Sequence, residues 1–322
     1  MNALHKTLTD YLELRRGMGF KMRDFEARLG RFVSFMAKRH ATRITTQLAL
    51  QFATCDAHLS PCTMSMRLSD VRGFARYRAA IDPATEVPPH SLLPYVSRPA
   101  KPYLYSQAEI IRLLRAVRNC PATERFPGPW WQQYRGWLWY CFFGLLAVTG
   151  MRLGEVRNLQ DEDIDWKEGV LTIRQAKFGK SRLVPLHCTM LQALRTYLKH
   201  RDCFLACSQP HIVPQNLFVT SRGTPLGVSA VNKKFRRVSR QIGLRGPKDR
   251  RGPRLHDFRH RFAIETLLRW YRNGEQPERL LPVLSTYLGH TRITGTYWYL
   301  RSTPELMEAA GDRLERRWKG VL

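Results

Sequence analysis

Six prolines fall within residues 83–102 (Pro83, Pro88, Pro89, Pro94, Pro99 and Pro102), and no regular element can be drawn through them. Each proline fixes φ and removes a backbone donor, so helices and sheet ladders alike stop there. The chain of 322 residues is thereby cut into a short segment ahead of this stretch and a longer one behind it. Its length also exceeds the ~250 residues beyond which single cores stop growing, so two domains are expected. They are a helical domain over 1–82, a linker over 83–104 and a second domain over 105–322.

Ahead of the linker, apolar residues recur at helical spacing: Leu4, Leu8, Tyr11 and Leu12, then Phe25, Leu29, Phe32, Val33 and Met36, then Met64, Leu68, Val71 and Phe74. Thr45 or Thr46 is placed to cap a further helix through Leu48 and Phe52. Behind the linker, Ser106 with Glu109 three residues on forms a capping-box pattern before Ile110, Leu113, Leu114 and Val117. Residues 136–150 are an apolar run shorter than the ~20 residues a bilayer crossing needs, which predicts a buried core helix. A short helical stretch around 152–159 and an acidic turn follow. The period then changes: 170–173 and 183–186 read as a β-hairpin whose turn holds Lys177 and Lys180. Helical spacing returns at 190–200, 228–242 and 257–271. A last stretch, 304–318, sets Leu306, Met307, Ala310, Leu314 and Trp318 on one side of a helix. The expected class is mostly α with a small β-sheet.

Charge narrows the function. Lys and Arg number 53 against 26 Asp and Glu, a net +27 that would push a compact chain apart unless a polyanion neutralised it. The excess is present on both sides of the linker, with 16 basic and 8 acidic residues before Tyr105 and 37 and 18 from there on. Two domains gripping one nucleic acid fit this better than a basic tail on a neutral enzyme; an anionic membrane surface is the rival polyanion. No apolar signal region opens the chain, and seven scattered cysteines suit a reducing compartment, so a cytoplasmic, nucleoid-associated protein is expected. The spacing of His200, Cys203, Cys207 and His211 resembles a zinc site, but the four run from a helix end into a loop. No metal or cofactor is expected.

Phosphodiester transfer without a metal requires a nucleophile that can hold the phosphoryl group, cations around the non-bridging oxygens and an acid for the leaving oxygen. Four segments carry such residues: TGMRLGEV from Thr149, KFGKSRLVPL from Lys177, LHDFRHRFA from Leu255 and YLGHTRITGTYWYL from Tyr287. In content and order they resemble the catalytic boxes of the tyrosine recombinases, the phage integrase family. The resemblance spans roughly residues 106–300; the N-terminal segment is similar to the family's core-binding domain only in size, helicity and position. It implies an N-terminal helical core-binding domain and a mixed α+β catalytic domain. It also implies Arg152 and Arg259 as the phosphate clamp, Glu155 as support, and Lys177 as general acid. His256 is implied as a proton-transfer group, His290 as a hydrogen bonder to the phosphate, and Tyr299 as the nucleophile. Lys180 competes with Lys177 and Tyr297 with Tyr299; the offsets within the boxes favour Lys177 and Tyr299.

Two features depart from the family pattern. A long segment separates Arg259 from His290, and Arg301 stands where many relatives carry a histidine. Residues 233–261 hold twelve Lys or Arg. Lys233, Lys234, Arg236, Arg237 and Arg240 on a helix and Arg245, Lys248, Arg250, Arg251 and Arg254 in a loop are expected on phosphates, as are Lys180, Arg67, Arg72 and Arg76. The resemblance implies a recombinase of mobile-element type working through a 3′-phosphotyrosine and a Holliday junction. Its partners would be a double-stranded recombination site, further copies of the chain (a dimer per core site, a tetramer in synapsis), and accessory recombinases or DNA-bending proteins. A type IB topoisomerase-like enzyme shares the chemistry but reseals the same strand, and a DNA-binding regulator would keep the fold without the chemistry.

Overall fold

The computed structural model describes residues 3–20, 22–94, 102–119, 128–174, 181–249, 252–300 and 303–319. The chain divides into two compact units, Met1–Ala100 and Lys101–Leu322.

The first unit is built from α1 (Ala3–Gly17), α2 (Arg23–Lys38), α3 (Thr46–Thr54) and α4 (Pro61–Ala79). Of the two threonines placed to cap α3, Thr45 does so, its hydroxyl accepting from Leu48 N at 3.2 Å. Ser60 caps α4, and Pro61 occupies the first turn, where a missing N–H costs nothing. The apolar stripes meet in a core of Leu29, Phe32, Val33, Met36, Phe52, Val71 and Phe74. Chain beyond Pro83 still belongs to this unit. Glu86 N donates to Ile44 O at 2.9 Å, and the Glu86 carboxylate accepts from Thr46 N at 2.8 Å. Arg72 donates to the carbonyls of Pro88 and Pro89, both at 2.7 Å. A Pro-Pro step offers acceptors and no donors, so a guanidinium fork is well suited to hold it down.

The second unit runs α5 (Gln107–Arg118), α6 (Pro129–Thr149), α7 (Leu153–Asn158), a 3-10 turn (Asp161–Asp163), β1 (Ile164–Asp165), β2 (Val170–Ile173), β3 (Arg182–Pro185), α8 (Cys188–Ser208), α9 (Val228–Gln241), α10 (Asp257–Arg272), α11 (Pro277–Leu288), α12 (Thr294–Leu300) and α13 (Pro304–Lys319). Ser106 and Glu109 form the expected capping box at α5. The apolar run at 136–150 lies in α6, packed between α5 and α8, with Tyr134, Leu138, Phe142, Phe143, Leu145 and Leu146 buried. No helix among the described residues is long and apolar enough to cross a membrane.

The sheet is antiparallel in the order β1-β2-β3, with Leu171 opposite both Ile164 and Val184. The expected hairpin is present, its second strand starting one residue earlier than the apolar pattern indicated. A third strand comes from the acidic turn; two residues are too few to show a period of two. Lys177 and Lys180 lie outside the described residues. α8 extends to Ser208, so Cys203 and Cys207 sit on a helix, and His200 stacks on Trp137 at 6.4 Å.

A second apolar cluster joins α10, α11, α12 and α13 through Leu267, Leu284, Leu288, Tyr299 and Leu306. The long segment between Arg259 and His290 is thus two helices, turned at Gly274 with φ +71°. Only part of the α13 stripe is buried. Leu306 is buried, while Met307, Leu314 and Trp318 are 62%, 59% and 74% exposed. Contact with α10 is made through the Leu306 and Ala309 side, turned away from the longer stripe.

Candidate active site

Two helix ends form the site. α6 stops at Gly150, left-handed at φ +61°, where an added Cβ would fall 2.8 Å from Phe262 Cδ1. α11 stops at Gly289, φ +67°, with Gly289 N donating to Thr286 O and His290 N to Ser285 O. That pairing is a Schellman turn, which leaves the final carbonyls without intrahelical partners. Three arginines, each from a different part of the sequence, take three consecutive ones. Arg182 Nε donates to Tyr287 O at 2.6 Å, Arg259 Nη2 to Leu288 O at 2.5 Å and Arg152 Nη2 to Gly289 O at 2.8 Å. Arg259 Nη1 also reaches Gly150 O at 3.0 Å, so one side chain ties both helix ends together. The negative ends of two helix dipoles suit cations, and this helps three guanidinium groups share one place.

Among the described residues, Glu155, at the third position of α7, is the carboxylate that pairs within this group. It accepts from Arg152 N at 2.8 Å, Arg152 Nη1 at 2.9 Å, and Arg182 Nη1 and Nη2 at 3.0 and 2.7 Å. Burial pushes its pKa upward, but the hydrogen bonds from Arg182 and Arg152 outweigh that and hold it below the ordinary carboxylate value. Three cations against one anion leave the cluster positive, as an anion site requires.

α10 begins immediately after His256, and Tyr105 fixes that start by stacking on Phe258 at 4.5 Å and donating to Arg254 O at 2.9 Å. Arg259, one turn in, is 2% exposed, and its guanidinium interacts with the Tyr299 side chain. Burial lowers the guanidinium's pKa to about 10. Burial likewise raises that of Tyr299, against the opposing charges of Arg259 and Arg152. Tyr299 is 3% exposed whereas Tyr297, two residues earlier on α12, is 45% exposed and turned away. His290 Nδ1 pairs with Thr296 Oγ1 at 2.7 Å, and its ring lies 6.1 Å from that of Tyr299. Burial, then the charges of Arg259, Arg152 and Arg182, depress His290 to about 4. His256 is lowered by burial and by Arg259.

The structure therefore brings Arg152, Glu155, His256, Arg259, His290 and Tyr299 into one cluster. Two neighbours were not anticipated. Arg182 is one, since nothing in its spacing marks a buried carboxylate partner on another element. His260 follows Arg259 directly; its ring stands 5.5 Å from Tyr299, 5.0 Å from Trp298 and 4.8 Å from His256. Burial and the His256 charge lower it to about 4.

Among the expected DNA contacts, Lys233, Arg236, Arg237 and Arg240 line an open groove on α9 with Asn232 and Gln241. Lys234 is half-buried on the same helix. Arg76 is exposed on α4, and Arg67 lies over the Phe52 ring at 5.6 Å. Arg72 is committed to the Pro88 and Pro89 carbonyls. Two loop arginines turn out to be structural: Arg245 is buried and donates to Pro253 O, and Arg254 pairs with Asp257 at 3.0 Å. Lys180 and Arg251 lie outside the described residues.

The profile of the phage integrase family matches residues 134–305, more than half of the chain and all of the described cluster. The chain belongs to the phage integrase family of tyrosine recombinases. A Sinorhizobium fredii protein carrying the name integrase/recombinase y4rB is 48% identical over 321 residues, 99% of each chain. The tyrosine recombinase XerC of Chlamydia caviae is 28% identical over 250 residues, covering 76% of this chain and 69% of its own. Among solved structures, the Tn1549 transposon integrase with circular intermediate DNA aligns over 96% of this integrase-family chain and 99% of its own, at TM-score 0.63 and 19% identity. At that identity the likeness is one of fold, and it extends over both units.

Proposed function

We propose that this chain is a site-specific DNA recombinase of integrase type, with Tyr299 as its nucleophile. The Tyr299 oxygen attacks a scissile phosphorus, forming the phosphotyrosine bond as the P–O5′ bond breaks. Arg152 and Arg259 hold the non-bridging oxygens through charge-assisted hydrogen bonds, which strengthen as negative charge collects in the transition state. The phenol proton passes to His256, and Lys177 supplies the proton that the departing 5′-oxygen takes up. The 3′-phosphotyrosine conserves the bond energy until a 5′-hydroxyl from the partner duplex attacks it, releases Tyr299 and builds a Holliday junction. Two copies occupy each duplex site and four exchange two duplexes. The cations of the site are side chains, so no metal is required.

The observation that carries this reading is the buried Tyr299 side chain set against the Arg259 guanidinium inside a cluster that also holds Arg152 and His290. An isolated tyrosine is ordinarily core or rim; one set against a buried guanidinium within a surplus of positive charge is suited to attack a phosphate. The test is a pool of suicide duplexes randomised around a nick, with covalent adducts captured on a denaturing gel and sequenced to give the site. The wild-type protein and Tyr297→Phe form an adduct, with or without EDTA; Tyr299→Phe forms none. An adduct that survives in Tyr299→Phe overturns the assignment. Strand exchange between two duplexes, as opposed to resealing of one, separates recombination from topoisomerase-like action.

A further inference from the structure

Arg182 belongs to no catalytic role assigned above, yet its guanidinium makes three hydrogen bonds within the cluster, two to Glu155 and one to Tyr287 O. A carboxylate offers about four acceptor positions. At Glu155 two go to the Arg182 fork and one to the backbone of Arg152, which leaves one for the Arg152 guanidinium. Arg152 is therefore held by one edge, through Nη1, where an unopposed arginine beside a carboxylate would close a two-point fork. The two side chains also differ in outlook: that of Arg182 is 8% exposed and that of Arg152 is 24% exposed. The buried arginine neutralises Glu155 and the more open one keeps its charge. Gly289 makes room for both, since a Cβ there would lie 2.9 Å from Arg182 Nη1 and 3.3 Å from Arg152 Nη1.

Building on the reading that Arg152 clamps the scissile phosphate, we propose that Arg182 is a positioning residue that occupies Glu155 so that Arg152 stays available to the phosphate. Without Arg182, the Glu155 carboxylate gains two vacant acceptor positions beside Arg152 and an uncompensated charge. Arg152 then turns its fork inward. Phosphate must compete with a buried carboxylate, and cleavage slows even though every group that touches DNA is present. Removing the Glu155 charge as well takes the competitor away. The proposal therefore predicts that a second substitution restores what the first one lost, an outcome a merely bracing role for Arg182 does not give.

The experiment measures single-turnover cleavage of the captured nicked duplex at saturating protein, together with duplex affinity and thermal melting. Arg182→Met cleaves at least about tenfold more slowly, while affinity changes less than about threefold because one phosphate among many is affected. The double variant Arg182→Met, Glu155→Gln cleaves faster than Arg182→Met alone. A double variant no faster than Arg182→Met, or an Arg182→Met protein that cleaves at the wild-type rate, overturns the proposal. Should Arg182→Met fail to melt cooperatively, Arg182→Lys serves in its place, because a lysine ammonium lacks the fork and leaves a Glu155 oxygen open. Adding Glu155→Gln speeds cleavage under the proposal and does not if Arg182 only braces the fold. A wild-type protein that forms no Tyr299-dependent adduct defeats the functional reading itself, a result distinct from any ranking of these variants.

Discussion

Arg259 and Tyr299 meet where neither side chain can reach bulk water, and burial works against the charged form of each. Burial favours a protonated phenol, which under the proposed mechanism releases its proton only as negative charge moves onto a clamped phosphate. A lysine at position 259 can supply the charge but not the planar fork that spans Gly150 O and Leu288 O. Arg259→Lys is thus expected to keep duplex affinity and lose about a hundredfold or more in cleavage, measured by adduct formation at saturating protein. The histidines give a second prediction. In the folded chain His290 and His260 titrate near 4, against an ordinary 6.5. Between those values the unfolded chain binds more protons, so the stability contribution is whole above about 6.5 and is lost as pH falls toward 4. Burial sets this sign first at both rings, reinforced by Arg259, Arg152 and Arg182 around His290 and by His256 and Arg254 beside His260; Asp257 opposes it at His260. Melting temperature should decline over that window in the wild type and less steeply in His290→Gln. Parallel curves would show that His290 carries no such penalty.

The C-terminal turn of α11 organises the site more than any other element, because its free carbonyls fix where three arginines stand. Gly289 carries that turn for two reasons, a left-handed φ and a close approach to Arg182 and Arg152. Gly289→Ala is expected to cost about 1–3 kcal/mol of stability from the backbone alone. It should also cut cleavage further than the stability loss explains, since the new methyl displaces both guanidinium groups. Equal losses in Gly289→Ala and in a destabilising core variant of matched melting temperature would contradict this. The start of α5 was legible, because the capping pattern of Ser106 and Glu109 predicts it directly. Arg182 and β1 were not legible. An arginine in a strand carries no mark of the buried carboxylate it will meet on a separate helix, and a two-residue strand cannot display an alternation. For a related reason the α13 stripe did not tell what covers it, as periodicity shows that a helix has an apolar side but not which neighbour packs there.

At the scale of the whole molecule, the proline-rich stretch announced two units. Where the first one ends depends on interactions no local pattern encodes: Glu86 and Arg72 hold residues well past Pro83 against α3 and α4. The same interactions sort the basic residues by role. Charge counted along the sequence treats Arg72 and Arg76 alike, yet one satisfies proline carbonyls and the other is exposed on α4. On α9 the exposed Lys233, Arg236, Arg237 and Arg240 share one groove while Val231, Phe235 and Val238 are buried on the opposite side. Each cation that no longer neutralises a phosphate should reduce the slope of log affinity against log salt by about 0.9. Replacing the four α9 residues with glutamine is therefore expected to flatten that slope by roughly 3.6, about equally for specific and random duplexes. Arg76→Gln should flatten it by about one further such step. Arg72→Gln should leave the slope unchanged and lower the melting temperature, because its donors serve the Pro88 and Pro89 carbonyls. A slope that falls with Arg72→Gln and not with the α9 variants would mean that the basic surface used for DNA lies elsewhere on the molecule.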